Sequence, residues 1–221
     1  MPKDTNKKLK TLAIVSLTLG LLIFALAYIS ILNNEYLHRL NQPILDWCLQ
    51  ARQPFITGLV KLLTNFASST TLIVITVAIA AIFILYKKEF LRPSLLLGSM
   101  FGVAGVATLM KLAIMDPRPL QQHMVPTYQL DYSFPSGHTL GIWTFMLVIG
   151  YLFYSRNFSI KKCIFWNLLA MLITIIIATT RLYLGYHWLT DVVASIGLGL
   201  IIFSIVIFVD RFIVTSSNTD Q

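Results

Sequence analysis

The sequence predicts an all-α, polytopic membrane protein: a bundle of six transmembrane helices, with short interfacial helices between the first and second spans. Three observations carry that prediction. Only 12% of the 221 residues are charged and 57% are hydrophobic, where a soluble domain carries about 25% charged residues. Six apolar segments recur along the chain, most of them near the ~20 residues that a helix needs to cross a hydrocarbon core about 30 Å thick. Basic residues also sort unequally between alternate connections, as they do when cationic loops are retained in the cytoplasm.

Each element follows from its own stretch. Residues 12–32 carry no charge and follow Lys3, Lys7, Lys8 and Lys10. Ala25-Leu26-Ala27 imitates a cleavage site, but the apolar run continues to Leu32, which favours an uncleaved first span. From 33 to 63, Glu35, Arg39, Asp46, Arg52 and Lys61 alternate with apolar residues, with Pro43 and Pro54 as breaks. That mixture predicts short amphipathic helices on the surface, which either cap the bundle or form the mouth through which a lipid tail enters. The remaining spans are expected at about 66–86, 93–115, 139–154, 164–179 and 189–208. Gly98 and Gly102 in the third span are four apart, a spacing that permits close helix contact inside the bundle. No repeat or linker interrupts the chain, so residues 1–221 form a single domain.

The net charge of +8 is read as loop retention and not as nucleic-acid binding. Eleven of the 17 cations fall on the side of the termini: the four N-terminal lysines, Lys87, Lys88, Arg92, Arg156, Lys161, Lys162 and Arg211. The other side holds Arg39, Arg52, Lys61, Lys111, Arg118 and Arg181. The termini are therefore expected in the cytoplasm of a multi-pass plasma-membrane protein. Cys48 and Cys163 then lie on opposite faces, too far apart for a disulfide.

The cations at span ends lead to candidate chemistry. In residues 180–191, Arg181, His187 and Asp191 are wedged between two apolar runs, where charge is expensive. They are either an ion cluster tying two helix ends together or a nucleophile, its orienter and an anion clamp. Lys111, near the end of the third span, either snorkels to the interface or joins Arg118, two helical turns further on. The long connection after it closes with Phe134-Pro135-Ser136-Gly137-His138, directly before the fourth span. There Ser136 can cap, Gly137 permits close approach, and the unpaired N–H groups of a helix start can meet an anion. All these residues come from the same ends of four spans. Three cations less one aspartate suit the −1.5 to −2 charge (about) of a phosphate monoester, and two histidines suit a nucleophile and a leaving-group acid.

Taken together, the pattern resembles the type 2 phosphatidic acid phosphatase (PAP2) superfamily of membrane lipid phosphatases. Its signature has three parts: Lys, six residues, Arg-Pro; then Pro-Ser-Gly-His; then Ser-Arg, five residues, His, three residues, Asp. The chain reads Lys111 to Arg118-Pro119, Pro135-Ser136-Gly137-His138, and Thr180-Arg181 to His187 to Asp191. Thr180 replaces the usual Ser and retains a hydroxyl. The first two spans carry no motif of the family.

The resemblance implies that His187 attacks phosphorus and forms a phosphohistidine, with Asp191 holding its ring. It implies His138 as the acid for the leaving oxygen and then as the base for water. Lys111, Arg118, Arg181 and the backbone of Ser136 and Gly137 would hold the phosphoryl oxygens. No metal or other cofactor is expected: the cations supply a metal's electrostatics, and Asp116 and Asp131 are the only other acids nearby. The expected substrate is a lipid phosphate or diphosphate at the outer leaflet, with phosphatidylglycerophosphate, phosphatidate and a polyprenyl (undecaprenyl-type) diphosphate as candidates that the sequence does not separate. A carrier for anionic lipids would use the cations without turnover, and a phosphotransferase could share the scaffold. Oligomeric state is not written in the sequence.

Overall fold

The computed structural model describes residues 3–127, 129–155 and 159–217; Arg156, one of the cations counted above, lies outside them. Eight α-helices follow in order: α1 Lys3–Asn33, α2 Asn41–Gln50, α3 Pro54–Phe66, α4 Ser69–Lys87, α5 Leu91–Ile114, α6 Gly137–Tyr154, α7 Ile160–Tyr183 and α8 Leu189–Ser217. No strand occurs among the described residues.

Local chemistry sets the boundaries. Pro54 opens α3 at its first turn, where its missing N–H costs no hydrogen bond. The Ser68 hydroxyl accepts from the Thr71 amide and caps α4. α5 ends at Met115 in the left-handed conformation, with Pro117 and Pro119 beyond it unable to resume a helix.

Among the described residues, five helical segments are long and apolar enough to cross a membrane: Asn6–Asn33, Pro54–Lys87, Leu91–Ile114, Lys161–Tyr183 and Leu189–Ile213. Six were expected. The sixth, α6, is apolar over only Gly137–Phe153, about 26 Å at 1.5 Å per residue. It is also the central helix, packed on α4, α5, α7 and α8 and buried throughout residues 139–152. A helix surrounded by other helices has no lipid thickness to match. Helices α2 and α3 occupy the stretch where short helices were expected between the first two spans.

One packing expectation fails. A methyl group added at Gly98 or Gly102 would meet nothing within 4 Å, so these glycines mark no close crossing in the bundle. The close crossing joins α1 to α8. There a Cβ on Gly20 would lie 2.8 Å from the Gly197 carbonyl, and one on Gly197 would lie 2.7 Å from the Phe24 amide. Spacing alone identifies small residues; whether another backbone arrives is decided by the rest of the bundle.

Because α5 and α7 end where α6 and α8 begin, one end of the bundle collects the C-terminus of α5, the N-terminus of α6, the C-terminus of α7 and the N-terminus of α8. The candidate residues sit at these four ends. At the opposite end the Tyr151 hydroxyl donates to Asp210, which pairs with Arg211. Cys48 and Cys163 are free thiols in α2 and α7.

Candidate active site

The stretch from Thr180 to Asp191 is two helix caps laid end to end. At the end of α7 the Tyr186 amide donates to the Arg181 carbonyl and the Gly185 amide to the Leu182 carbonyl, the paired bonds of a Schellman motif. Gly185 takes the left-handed conformation this requires, φ +72°, and a side chain there would run into the His123 carbonyl. Two residues later α8 begins. Its Asp191, at the third helical position, reaches back so that Oδ2 accepts the Trp188 amide at 2.9 Å, the return half of a capping box. The next open amide of α8, that of Thr190, donates to Asn41 Oδ1 of α2 at 3.2 Å.

His187 lies between the two caps, just outside α8. It meets Asp191, four residues further on, because Asp191 turns back to cap. Asp191 Oδ2 lies 3.1 Å from His187 Nδ1 and also accepts the Ser133 hydroxyl. On the other side of the ring, Arg118 Nη1 lies 3.2 Å from Nε2. A guanidinium can only donate, so Nε2 bears the lone pair and Nδ1–H donates to Asp191. This is the neutral tautomer with a nucleophilic nitrogen facing a cation. Burial, with Arg118, Arg181 and Lys111 nearby, holds the His187 pKa well below the usual histidine range.

That depression gives a signed expectation. Nε2 stays unprotonated as pH falls through the ordinary histidine range, so the ring's NMR titration should lie below it. In Arg118→Gln, with one cation gone, the midpoint should move up. An unchanged or lower midpoint would mean that Arg118 does not act on the ring.

The three expected clamps differ in how they are held. Arg181 is 3% exposed; its Nη1 donates to Thr64 Oγ1 of α3 at 3.0 Å, and its guanidinium stacks 4.6 Å above the Tyr186 ring. Its Nε has no partner, and no carboxylate pairs with it among the described residues. A buried cation in that condition is costly unless an anion arrives. Lys111 and Arg118 do meet a carboxylate, at 3.0 and 2.7 Å respectively, and it belongs to Asp131. Arg118 Nη1 also donates to the Tyr186 carbonyl at 2.5 Å. Local charge is therefore lower than the sequence implied, since Asp131 offsets one of the cations counted there.

Ser136 precedes α6, but its side chain does not cap; Oγ accepts from the Thr139 hydroxyl at 3.0 Å. The first amides of α6, at Gly137 and His138, therefore keep no partner among the described residues, and the helix start remains suited to an anion. His138, half-buried, lines a cavity of about 260 Å³ together with Arg181 and lies within electrostatic reach of Arg118 and His187. Thr180 bonds back to the Ile177 carbonyl at 2.6 Å within its own helix. Its hydroxyl therefore does not position Arg181.

The structure brings together all eight residues singled out in the sequence. It adds Ser133, which shares Asp191 with His187; Asp131, which bridges two clamps; Thr64, which holds Arg181; and Asn41, which caps α8. None had a readable signal, because each acts through a tertiary contact. The Asp116–Ser136 connection, long for a loop, is stitched to the site: Val125 donates to the Leu184 carbonyl at 2.9 Å and Trp188 Nε1 to the Pro117 carbonyl at 2.7 Å. Asp116 within it is half-buried, and that burial together with the Asp191 charge raises its pKa to about 6.

Comparison with known proteins converges on one family. The profile of the PAP2 superfamily matches residues 92–213, which include every candidate site residue. Phosphatidylglycerophosphatase B of Bacillus subtilis (strain 168) is 29% identical over 199 residues, covering 87% of this chain and 92% of that protein. The crystal structure of a transmembrane PAP2-type phosphatidylglycerolphosphate phosphatase from Bacillus subtilis superimposes with a TM-score of 0.78 at 26% identity, over 90% of this chain and 96% of that one. Aquifex aeolicus LpxE shares the fold, with a TM-score of 0.56 at 21% identity over 76% and 94% of the two chains. With more than half of its length matched by the family profile, the chain belongs to the PAP2 superfamily.

Proposed function

We propose that this PAP2-type lipid phosphatase removes the terminal phosphoryl group of a lipid phosphate or diphosphate at the outer leaflet, without a metal ion, through a phosphohistidine on His187. The observation that carries the reading is the tautomer of His187: Nδ1–H held by a fully buried carboxylate, Nε2 aimed at a cluster of cations. An anion carrier needs the cations but has no use for an imidazole fixed in this way.

In the first step Nε2 attacks phosphorus, and the P–N bond forms as the P–O bond to the lipid breaks. His138 gives its proton to the departing oxygen. Lys111, Arg118, Arg181 and the open amides of Gly137 and His138 hold the three equatorial oxygens while charge spreads over them. Arg118 must exchange its contact with Nε2 for one with the phosphoryl group, and Asp131 must share its two cations. In the second step His138 takes a proton from water, the water attacks phosphorus, the P–N bond breaks and inorganic phosphate leaves.

The metal-free reading is supported by the engagement of the acids, because Asp131 is paired with two cations and Asp191 Oδ2 takes three donors. Six spans, cytoplasmic termini and an outer site are supported by the excess of basic residues on the side of the termini. The central, short α6 is then the sixth span, with His138 at its outer start, at the interfacial depth of a phosphate headgroup. Phosphatidylglycerophosphate is the first candidate substrate, from the named relatives.

The test is phosphate release by purified protein in chelator, with phosphatidylglycerophosphate, phosphatidate, a polyprenyl diphosphate and a soluble ester. Turnover of the lipids undiminished by chelation is expected. Turnover abolished by chelation and restored by a divalent ion would overturn the metal-free mechanism.

A further inference from the structure

The cavity beside the catalytic residues has a second wall that the reaction leaves without a role. His138 and Arg181 line one side, and Lys61, Thr64 and Asn65 of α3 line the other, with Gln129 from the loop. Residues 61, 64 and 65 are related by i, i+3 and i+4, so they share one face of α3. That face offers an ammonium, a hydroxyl and an amide. It is bound to the catalytic residues themselves, because Thr64 Oγ1 accepts from Arg181 Nη1 at 3.0 Å.

Charge and volume both indicate what the wall would take. No carboxylate lines the cavity, and Lys61 has no acidic partner among the described residues. The nearest acid of the site, Asp131, is already paired with Lys111 and Arg118. The cavity of about 260 Å³ is many times the ~10–15 Å³ that holds one water, so it has room for more than one phosphoryl group.

We propose that Lys61, with Thr64 and Asn65, forms a second anion subsite, which takes the other phosphoryl group of a lipid that carries two while Lys111, Arg118 and Arg181 hold the one transferred. The inference rests on the reading of this site as a lipid phosphatase and names its substrate class. A monoester linked through glycerol to a phosphodiester and a prenyl diphosphate both meet it; phosphatidate, with one phosphate, does not. Lys61 is thus a specificity-determining residue outside the three motifs.

The experiment uses the full chain in detergent and compares Lys61→Gln with Lys61→Arg. In Lys61→Gln, KM for phosphatidylglycerophosphate, a polyprenyl diphosphate or both should rise about tenfold. The kcat values and the KM for phosphatidate should stay within about twofold, and Lys61→Arg should restore the loss. The lipid whose KM moves identifies the spacing of the two phosphates. Equal effects on all three lipids, or no effect on either two-phosphate lipid, would overturn the subsite. A binding arm needs no turnover: Lys61→Gln should weaken methylene bisphosphonate, glycerol 1,3-bisphosphate or both about tenfold and inorganic phosphate by less than about twofold. If the wild-type protein hydrolysed none of the lipids, the phosphatase reading would fall, and the binding arm would still decide the subsite. Equal loss for inorganic phosphate and both two-phosphate probes, or no loss for either two-phosphate probe, would sink it.

Discussion

Replacing His187 with alanine is expected to lower kcat by roughly 10⁴-fold or more, the scale seen when a nucleophile is removed from a constellation that acts as a unit. The fold should survive the change. Asp191 keeps Ser133 and the Trp188 amide, and Arg118 keeps Asp131 and the Tyr186 carbonyl, so no buried charge is stripped of all partners. Loss of activity without loss of cooperative unfolding separates the two effects. A second readout is the intermediate: rapid quenching of the wild-type protein should trap phosphorus bound to protein that is stable in base and labile in acid, and the alanine variant should trap none. An acid-stable phosphoenzyme would point to a different nucleophile, and undiminished turnover in the variant would remove His187 from the chemistry altogether.

Why so much of this site was legible, and where legibility stopped, follows from the range of the interactions involved. Lys111, Arg118, Arg181, His187 and Asp191 stand out because ionisable residues beside apolar runs are expensive and their spacing is recorded in the chain. The apolar helices are legible for the same reason; the run at 139–154 reads as a span, but α6 is apolar over only Gly137–Phe153 and packs on α4, α5, α7 and α8. Contacts between distant segments leave no such trace. Thr64 looks like any polar residue on an amphipathic helix until Arg181 arrives, and Asn41 caps a helix that begins far along the chain. Charge counting is limited in the same way. Arg211 counts toward the cytoplasmic excess, but it is buried against Asp210. Arg52 counts on the opposite side, but it donates to the Tyr183 carbonyl at the end of α7 at 2.8 Å. Both have structural reasons for their places, so the proposed orientation rests more firmly on Lys7, Lys87 and Lys88.

Asp191→Asn should be the most informative change after His187→Ala, because it removes a charge and keeps the shape. As phosphorus bonds to Nε2, positive charge develops on the imidazole, and the carboxylate at Nδ1 answers it. Asp191 is fully buried, so water cannot take over that role. The asparagine oxygen can still accept from Nδ1–H or from the Trp188 amide, which preserves the start of α8. If the amide instead turns its NH₂ toward Nδ1, the proton moves to Nε2, which then confronts the Arg118 guanidinium with no lone pair. Both outcomes impair the chemical step more than substrate binding. A loss of roughly 10²–10⁴-fold in kcat is expected, with KM changed by no more than a few-fold. Combining Asp191→Asn with His187→Ala should add almost nothing to the loss from His187→Ala alone, because the carboxylate acts only through the ring. Additive losses would mean that Asp191 serves catalysis by another route, and wild-type kcat in the single variant would reduce it to a helix cap.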